Sequence, residues 1–385
     1  TMYLSYLGTK SKSTEVISKA FYDIACNFNI SVDDEETTVM ISGLQENFEQ
    51  AVSLFEELVQ HAQPNEEALA SLKKRILKSR QDSKLNKEAI KRGMQQYAMY
   101  GEHNPFNYQI TNEELEQMSS DTLMNIIHQL FAYPHKVLYY GPQKVEETSK
   151  IVGALHKTLP NPKAIEPAVK FEKKDQTAPR VLFADYNMVQ AEINWLYNGP
   201  IYQPENAAKI MLFNNYFGGG MGSITFQTIR EAKALAYSTF AVYRTPNSKN
   251  ERYSFQAYVG TQSDKLGEAI VGMNELLDDM PLAEALLDNA KKQLRQNIET
   301  QRITKEGIIF NYLSALKMGE EKDSRKEVYQ QISQLTLDDL KSFHAENVAK
   351  KSYTYYVLGS RDRIKDALNL YGSPTELKLE DIFGF

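Results

Sequence analysis

The chain has 385 residues but one cysteine, Cys26, so neither an intrachain disulfide nor a cysteine-rich zinc site can form. A single thiol suits cytosol and periplasm equally and leaves the compartment open. No apolar run approaches the ~20 residues that a membrane helix needs. No dense Lys/Arg block appears, and 44 basic against 50 acidic residues give a net charge of −6. That balance does not support a nucleic-acid or anionic-membrane surface. None of the six histidines (His61, His103, His128, His135, His156, His344) forms His-x-x-Glu-His or His-Glu-x-x-His, whose spacing sets two imidazoles on one helix face. His344-Ala-Glu346 resembles the start of a zinc-deaminase pattern, but the Cys-x-x-Cys that completes it is impossible here. All six read as structural or surface residues.

What is present is an ordinary globular composition, 42% hydrophobic and 24% charged, with enough length for two or three domains. It also carries an internal repeat. Phe48, Ala51, Val52, Phe55 and Leu58 match Leu266, Ala269, Ile270, Met273 and Leu276, each pair 218 residues apart. The spacing i, i+3, i+4, i+7, i+10 predicts the buried face of an amphipathic helix in both places. Leu69, Lys73, Lys74 and Ile76 continue the match at Leu287, Lys291, Lys292 and Leu294. Thr37–Gly43 and Ser254–Gly260 read as one pair of equivalent strands, Val137–Gly141 and Tyr355–Gly359 as another.

Between the copies, a Pro- and charge-rich stretch over 160–179 reads as an extended linker. The expected division is therefore 1–159, a linker at 160–179, and 180–385. The second copy opens with two strands, Arg180–Ala184 and Gln190–Tyr197, and a helix over 205–217. Subtracting 218 from these gives numbers below 1. The first copy is expected to lack its opening strands and helix, in a chain that is a fragment of something longer. Groups of helices interrupt the strands without strict β-α-β alternation. The expected fold is α+β, in two homologous units, each a mostly antiparallel sheet with helices on one face.

Two features could carry chemistry. Gly218-Gly-Gly-Met-Gly222-Ser223 precedes a helical run and could cradle an anion. It has no Gly-Lys-Ser/Thr ending and no preceding strand, so a close-packed turn with Ser223 as N-cap is the simpler reading. Downstream, Arg230 and Tyr237 lie seven apart, which in an unbroken helix sets both on one face. Such a pair can clamp a peptide carbonyl and stabilise an oxyanion; spacing alone equally suits a surface ion-pair partner and a core-edge aromatic.

The run Asn214-Asn-Tyr-Phe-Gly-Gly-Gly-Met-Gly-Ser-Ile-Thr-Phe-Gln-Thr-Ile-Arg-Glu-Ala-Lys-Ala-Leu-Ala-Tyr237 resembles a signature of the pitrilysin/insulinase peptidases. There a triple-glycine turn precedes a helix carrying Arg-Glu and then Leu-Ala-Tyr. Tyr6-Leu-Gly-Thr9, Cys26-Asn-Phe-Asn29 and Glu36-Thr-Thr38 resemble words of the same family's opening domain, and the large single-chain members of Bacteroides-type bacteria are the most similar in pattern. The resemblance implies a zinc metalloendopeptidase that encloses unfolded peptides between two halves. It places the last zinc-ligand His at Tyr3, the motif's Glu at Met2 and the distant Glu near Arg80, so the first copy resembles a degenerate domain without metal ligands. By its place in the Arg-Glu-(x)₃-Leu-Ala-Tyr word, the resemblance assigns substrate and oxyanion contacts to Arg230 and Tyr237. It thus implies no cofactor in this chain, zinc in the complete enzyme, and an N-terminal zinc-carrying half as partner, in the same polypeptide or another. The chain alone is expected to be inactive. Two other readings remain: a catalytically silent core subunit of the same family, or an anion-binding protein that uses the glycine turn.

Overall fold

The computed structural model describes residues 2–33, 35–369 and 372–385. In chain order the first copy forms α1 (Thr14–Asp23), β1 (Cys26–Val32), β2 (Thr37–Gly43), α2 (Phe48–His61), α3 (Glu66–Lys84), α4 (Lys87–Tyr100), α5 (Asn112–Gln117), α6 (Ser120–His128) and α7 (Val145–Leu155). The second forms β3 (Arg180–Asp185), β4 (Gln190–Ile201), α8 (Ala207–Phe213), β5 (Ser238–Arg244), β6 (Arg252–Gln262), α9 (Leu266–Asp278), α10 (Glu284–Thr300), α11 (Gly307–Lys317), α12 (Arg325–Ile332), α13 (Leu337–Asn347), β7 (Thr354–Gly359), α14 (Arg361–Asn369), β8 (Thr375–Glu376) and α15 (Leu379–Phe383). The expected offset holds at the element starts: α9 and α10 begin 218 residues after α2 and α3, and α13 begins 217 after α6.

The chain divides into two compact units. One comprises Thr1–Ser83, Gln109–Lys170 and Phe385; the other comprises Lys84–Tyr108 and Phe171–Gly384. In the first unit, β1 and β2 pair antiparallel from Cys26↔Gly43 to Val32↔Thr37. The apolar stripe of α2 buries Ala51, Phe55 and Leu58. Phe28 sits between Phe21 and Phe55, with ring centroids 5.1 Å from each. Val137–Gly141, expected as a strand, joins no sheet among the described residues. Its counterpart β7 is held between β3 and β4. A strand without a ladder partner has nowhere to place its backbone hydrogen bonds except water.

The second unit is built on a six-stranded sheet ordered β5-β6-β4-β7-β3-β8. The β5/β6, β6/β4 and β4/β7 pairs are antiparallel; β7/β3 and β3/β8 are parallel. Successive strand residues face opposite sides, and the two sides differ. Phe183, Ile193, Trp195, Phe255, Ala257, Val259 and Val357 form one core with Phe213, Met273, Leu276, Leu287, Ile332 and Leu340 of the second copy's helices. Met273 is fully buried there, as its counterpart Phe55 is buried in the first unit. On the opposite side lie Glu192, Asn194, Gln256 and Tyr356, and that side is covered by α4. By sequence α4 belongs to the first copy; by packing it belongs to the second unit. It buries Ile90 and Met94 completely. Gly93 lets α15 and the Phe106 ring close in behind it, since a Cβ there would meet Ile382 Cγ2 at 2.3 Å and Phe106 Cε1 at 2.8 Å.

Candidate functional site

After α8 the backbone loosens into a π-helical turn, Asn214–Gly218. It must pass directly over β5: a Cβ on Gly218 would lie 1.9 Å from the Ala241 carbonyl oxygen, so only glycine fits. Gly220 turns the chain with φ +97°, and the Ser223 hydroxyl caps the next helix by accepting from the Phe226 N–H at 3.4 Å. The glycine cluster thus serves a close backbone crossing and a turn. The next helical run is also π-type, Phe226–Ala232, a form frequent where a helix presents functional side chains.

The unbroken helix that would set Arg230 and Tyr237 on one face is not formed. The helix closes at Lys233. Ala234 is left-handed with φ 49°, and the Leu235 N–H reaches back to the Ile229 carbonyl at 2.9 Å. This is a Schellman-type closure with alanine in the position that glycine usually takes. It drops Leu235 into the core and sends Tyr237 into the extended entry to β5, where its N–H donates to the Gly260 carbonyl at 2.9 Å.

Both side chains are exposed. Arg230 lies with its guanidinium carbon 4.8 Å from the Phe226 ring centroid and its Nε 3.7 Å from Glu231. Tyr237 is 52% exposed, and its hydroxyl accepts from Gln262 Nε2 at 2.7 Å. No hydrogen bond joins Arg230 to Tyr237 among the described residues. Tyr237 and Gln262 border an open depression of about 680 Å³, lined also by Lys87, Gln190, Asp264 and Arg363; Arg230 does not line it. Gln262 ends β6 outside any motif, so nothing in the sequence singled it out.

Beside this depression an ion triad around the buried Glu192 ties α4 to the sheet. Glu192 Oε1 accepts from Lys87 at 2.5 Å and Oε2 from Lys91 at 2.8 Å. Burial alone would raise the Glu192 carboxyl, but the two lysines overcome it and hold it below the usual carboxylate range. Next to it, Gln256 Nε2 donates to Asn194 at 3.1 Å and to the Tyr356 hydroxyl at 2.6 Å, while its Oε1 accepts from Gln95 and Arg244.

The positions that the family pattern assigns to zinc hold other chemistry. Met2 is exposed. Tyr3 is buried, its hydroxyl accepting from the Asn65 N–H at 2.8 Å and lying 2.6 Å from Ser120. Arg80 is buried and donates to the Asn112 side chain and the Ile110 carbonyl, each at 2.7 Å. A thioether, a hydrogen-bonded phenol and a guanidinium do not fit a zinc ion. Among the described residues, no group of three or more His, Cys, Asp or Glu could hold a metal. His344 is packed against Phe213 and Phe217, and burial pushes it down to about 4. His128 is bonded to the Ala62 carbonyl, and His135 and His156 face each other. No helix is long and apolar enough to cross a membrane among the described residues.

Comparison with known proteins supplies the class. Residues 3–118 match the insulinase (peptidase family M16) model, and residues 121–294 match the peptidase M16 inactive domain. Together the two matches span most of the chain, which belongs to the pitrilysin/insulinase family. Its relatives include an uncharacterized zinc protease, YmxG, of Bacillus subtilis, 24% identical over 77% of this chain and 72% of its own. The non-peptidase homolog YmxG of Helicobacter pylori is 20% identical over 93% of this chain and 83% of its own. Among solved structures, a peptidase M16 inactive domain from Pseudomonas fluorescens superposes with TM-score 0.69 at 17% identity, covering 93% of this chain and 86% of that one. The ferredoxin protease FusC, in complex with Arabidopsis ferredoxin, superposes with TM-score 0.71 at 14% identity; this chain covers 39% of its length.

Proposed function

We propose that this chain is the zinc-lacking half of a zinc metalloendopeptidase, acting with a zinc-carrying half on unfolded peptides. The observation that carries this reading is the state of Tyr237. Because Gln262 donates to the phenol oxygen, the Tyr237 hydroxyl hydrogen is left free to donate outward, from an exposed position beside an open depression. A donor fixed in this way can meet a substrate carbonyl and strengthen its grip as the oxygen becomes an oxyanion. Arg230, also exposed, supplies a second and cationic donor to the bound peptide. Their part is to hold and orient the carbonyl; the metal that activates water belongs to the other half.

In the assembled enzyme, Tyr237→Phe removes one hydroxyl with little change of volume. The expected result is a kcat lower by ~10²-fold or more, with fold and zinc content of the other half unchanged. Unchanged kcat would return Tyr237 to a packing role. The alternative, a silent core subunit, draws support from the relative named a non-peptidase homolog. That reading expects no effect of either Tyr237→Phe or Arg230→Ala in any assembly.

A further inference from the structure

Three features of the first unit converge on one place, and the peptidase reading uses none of them. Strand β2 pairs with β1 along one edge and has no neighbour along the other among the described residues. Val137–Gly141 also lacks a ladder there, and Val137, Leu138 and Tyr140 are 56%, 48% and 53% exposed, although all six residues of its counterpart β7 are buried. Tyr139 packs its ring on Phe48, centroids 5.4 Å apart, and donates its hydroxyl to Gln45 Oε1, which pins this segment beside the end of β2. The third feature is Gln45 itself. Its Nε2 is buried and has no hydrogen-bond partner among the described residues, a costly state for an amide donor.

The second copy shows what meets the same three features there. Strand β4 runs between β6 and β7, the counterparts of β2 and Val137–Gly141, and is antiparallel to both. The one-turn helix Ser263–Lys265 follows Gln45–Asn47 by the same 218 residues. Ser263 donates its hydroxyl at 2.7 Å to the carbonyl of Val189, the residue that leads into β4. The donor that stands idle at Gln45 is thus engaged at Ser263, and its acceptor belongs to the intervening strand. We infer that the first unit is an acceptor for one extended strand, inserted between β2 and Val137–Gly141 and antiparallel to both, with a carbonyl at its start on Gln45 Nε2. Its pattern follows from β4, which sends Ile193 and Trp195 into the helix-side core where Val357, the counterpart of Tyr139, also lies. Ala191–Leu196 of β4 are buried throughout, so a strand in this place is a lasting part of an assembly and not a peptide in turnover. Its source rests on the function proposed above: the zinc-carrying half supplies it.

Amide hydrogen exchange of the full chain is the test: alone, with a synthetic peptide that copies Val189–Tyr197, and in the assembled enzyme. The peptide should slow exchange ~10-fold or more at β2 and at Val137–Gly141. The same peptide with two central prolines should not, because it cannot form the ladder. Gln45→Glu keeps the acceptor for Tyr139 and removes the donor, and should weaken binding of the peptide ~10-fold. Assembly with the zinc-carrying half should protect the same two stretches without substrate, and equally when Tyr237→Phe is present, so this result stands apart from whether Tyr237 serves catalysis. Exchange unchanged at both stretches, with the peptide and in the assembled enzyme, would overturn the acceptor. Protection by the peptide but not in the assembled enzyme would overturn the zinc-carrying half as its source.

Discussion

Helices α4 and α11 are counterparts at the same 218-residue offset, yet they live in opposite surroundings within the second unit. On α4, Ile90 and Met94 are fully buried and Ala98 nearly so; on α11 the matching Ile308, Tyr312 and Leu316 are 49%, 56% and 45% exposed. No residue of α11 is buried. Both sequences offer an apolar face at helical spacing. Only one has a sheet against it. Amphipathic pattern specifies that a face is suited to burial, and the partner decides whether burial happens.

The sharpest way to break this comparison is to truncate both helices at the same place. Ile90→Ala should cost ~3–4 kcal/mol, the transfer term plus the cavity it leaves. Ile308→Ala should stay within ~0.5 kcal/mol. Urea unfolding of the two variants measures the difference, and equal losses would mean that α11 has a hidden partner.

A second difference between the copies concerns pH. His344 of α13 is buried with Nε2 unbonded among the described residues, whereas its counterpart in α6 is the apolar Ile127. With a folded value near 4 against ~6.5 in the unfolded chain, the unfolded state takes up the proton first as pH falls. Stability should therefore decline from about pH 6.5 to about pH 4, by ~3 kcal/mol in all, and then level off for this group. Urea titrations of the native chain and His344→Leu across that window should diverge; parallel curves would remove His344 as the cause.

The smallest expected effect tests something the copies share. In each copy a helix that leads into a strand pair ends on a left-handed alanine, Ala25 before β1 and Ala234 before Tyr237, both at φ 49°. Left-handed backbone costs an L-residue ~1 kcal/mol that glycine avoids, partly offset by glycine's greater freedom when unfolded. Ala25→Gly and Ala234→Gly should each stabilise by ~0.5 kcal/mol in thermal melts. A loss instead would mean that the methyl group packs.

Much of the architecture is legible in the sequence because long helices repeat their apolar spacing, which aligns α2 with α9 and α3 with α10. The exchange of α4 was not, since Ile90 and Met94 say only that they are buried. Nor was the lone Val137–Gly141 segment, whose apolar residues read as a strand although a strand exists only through its neighbours. At the proposed site, the sequence pointed to Arg230 and Tyr237 but did not show that the helix ends between them. An alanine in a left-handed closure leaves no glycine to mark the helix end. Gln262, which orients the Tyr237 hydroxyl, carried no signal at all.

The crossing of α4 onto the later sheet also sets a schedule for biosynthesis. Lys87 lies 105 positions before its partner Glu192. At ~5–20 residues per second, a ribosome leaves α4 waiting ~5–20 s for the strand it must cover. Throughout that interval Ile90 and Met94 are an apolar surface with no sheet to bind, open to chaperones or to a neighbouring nascent chain.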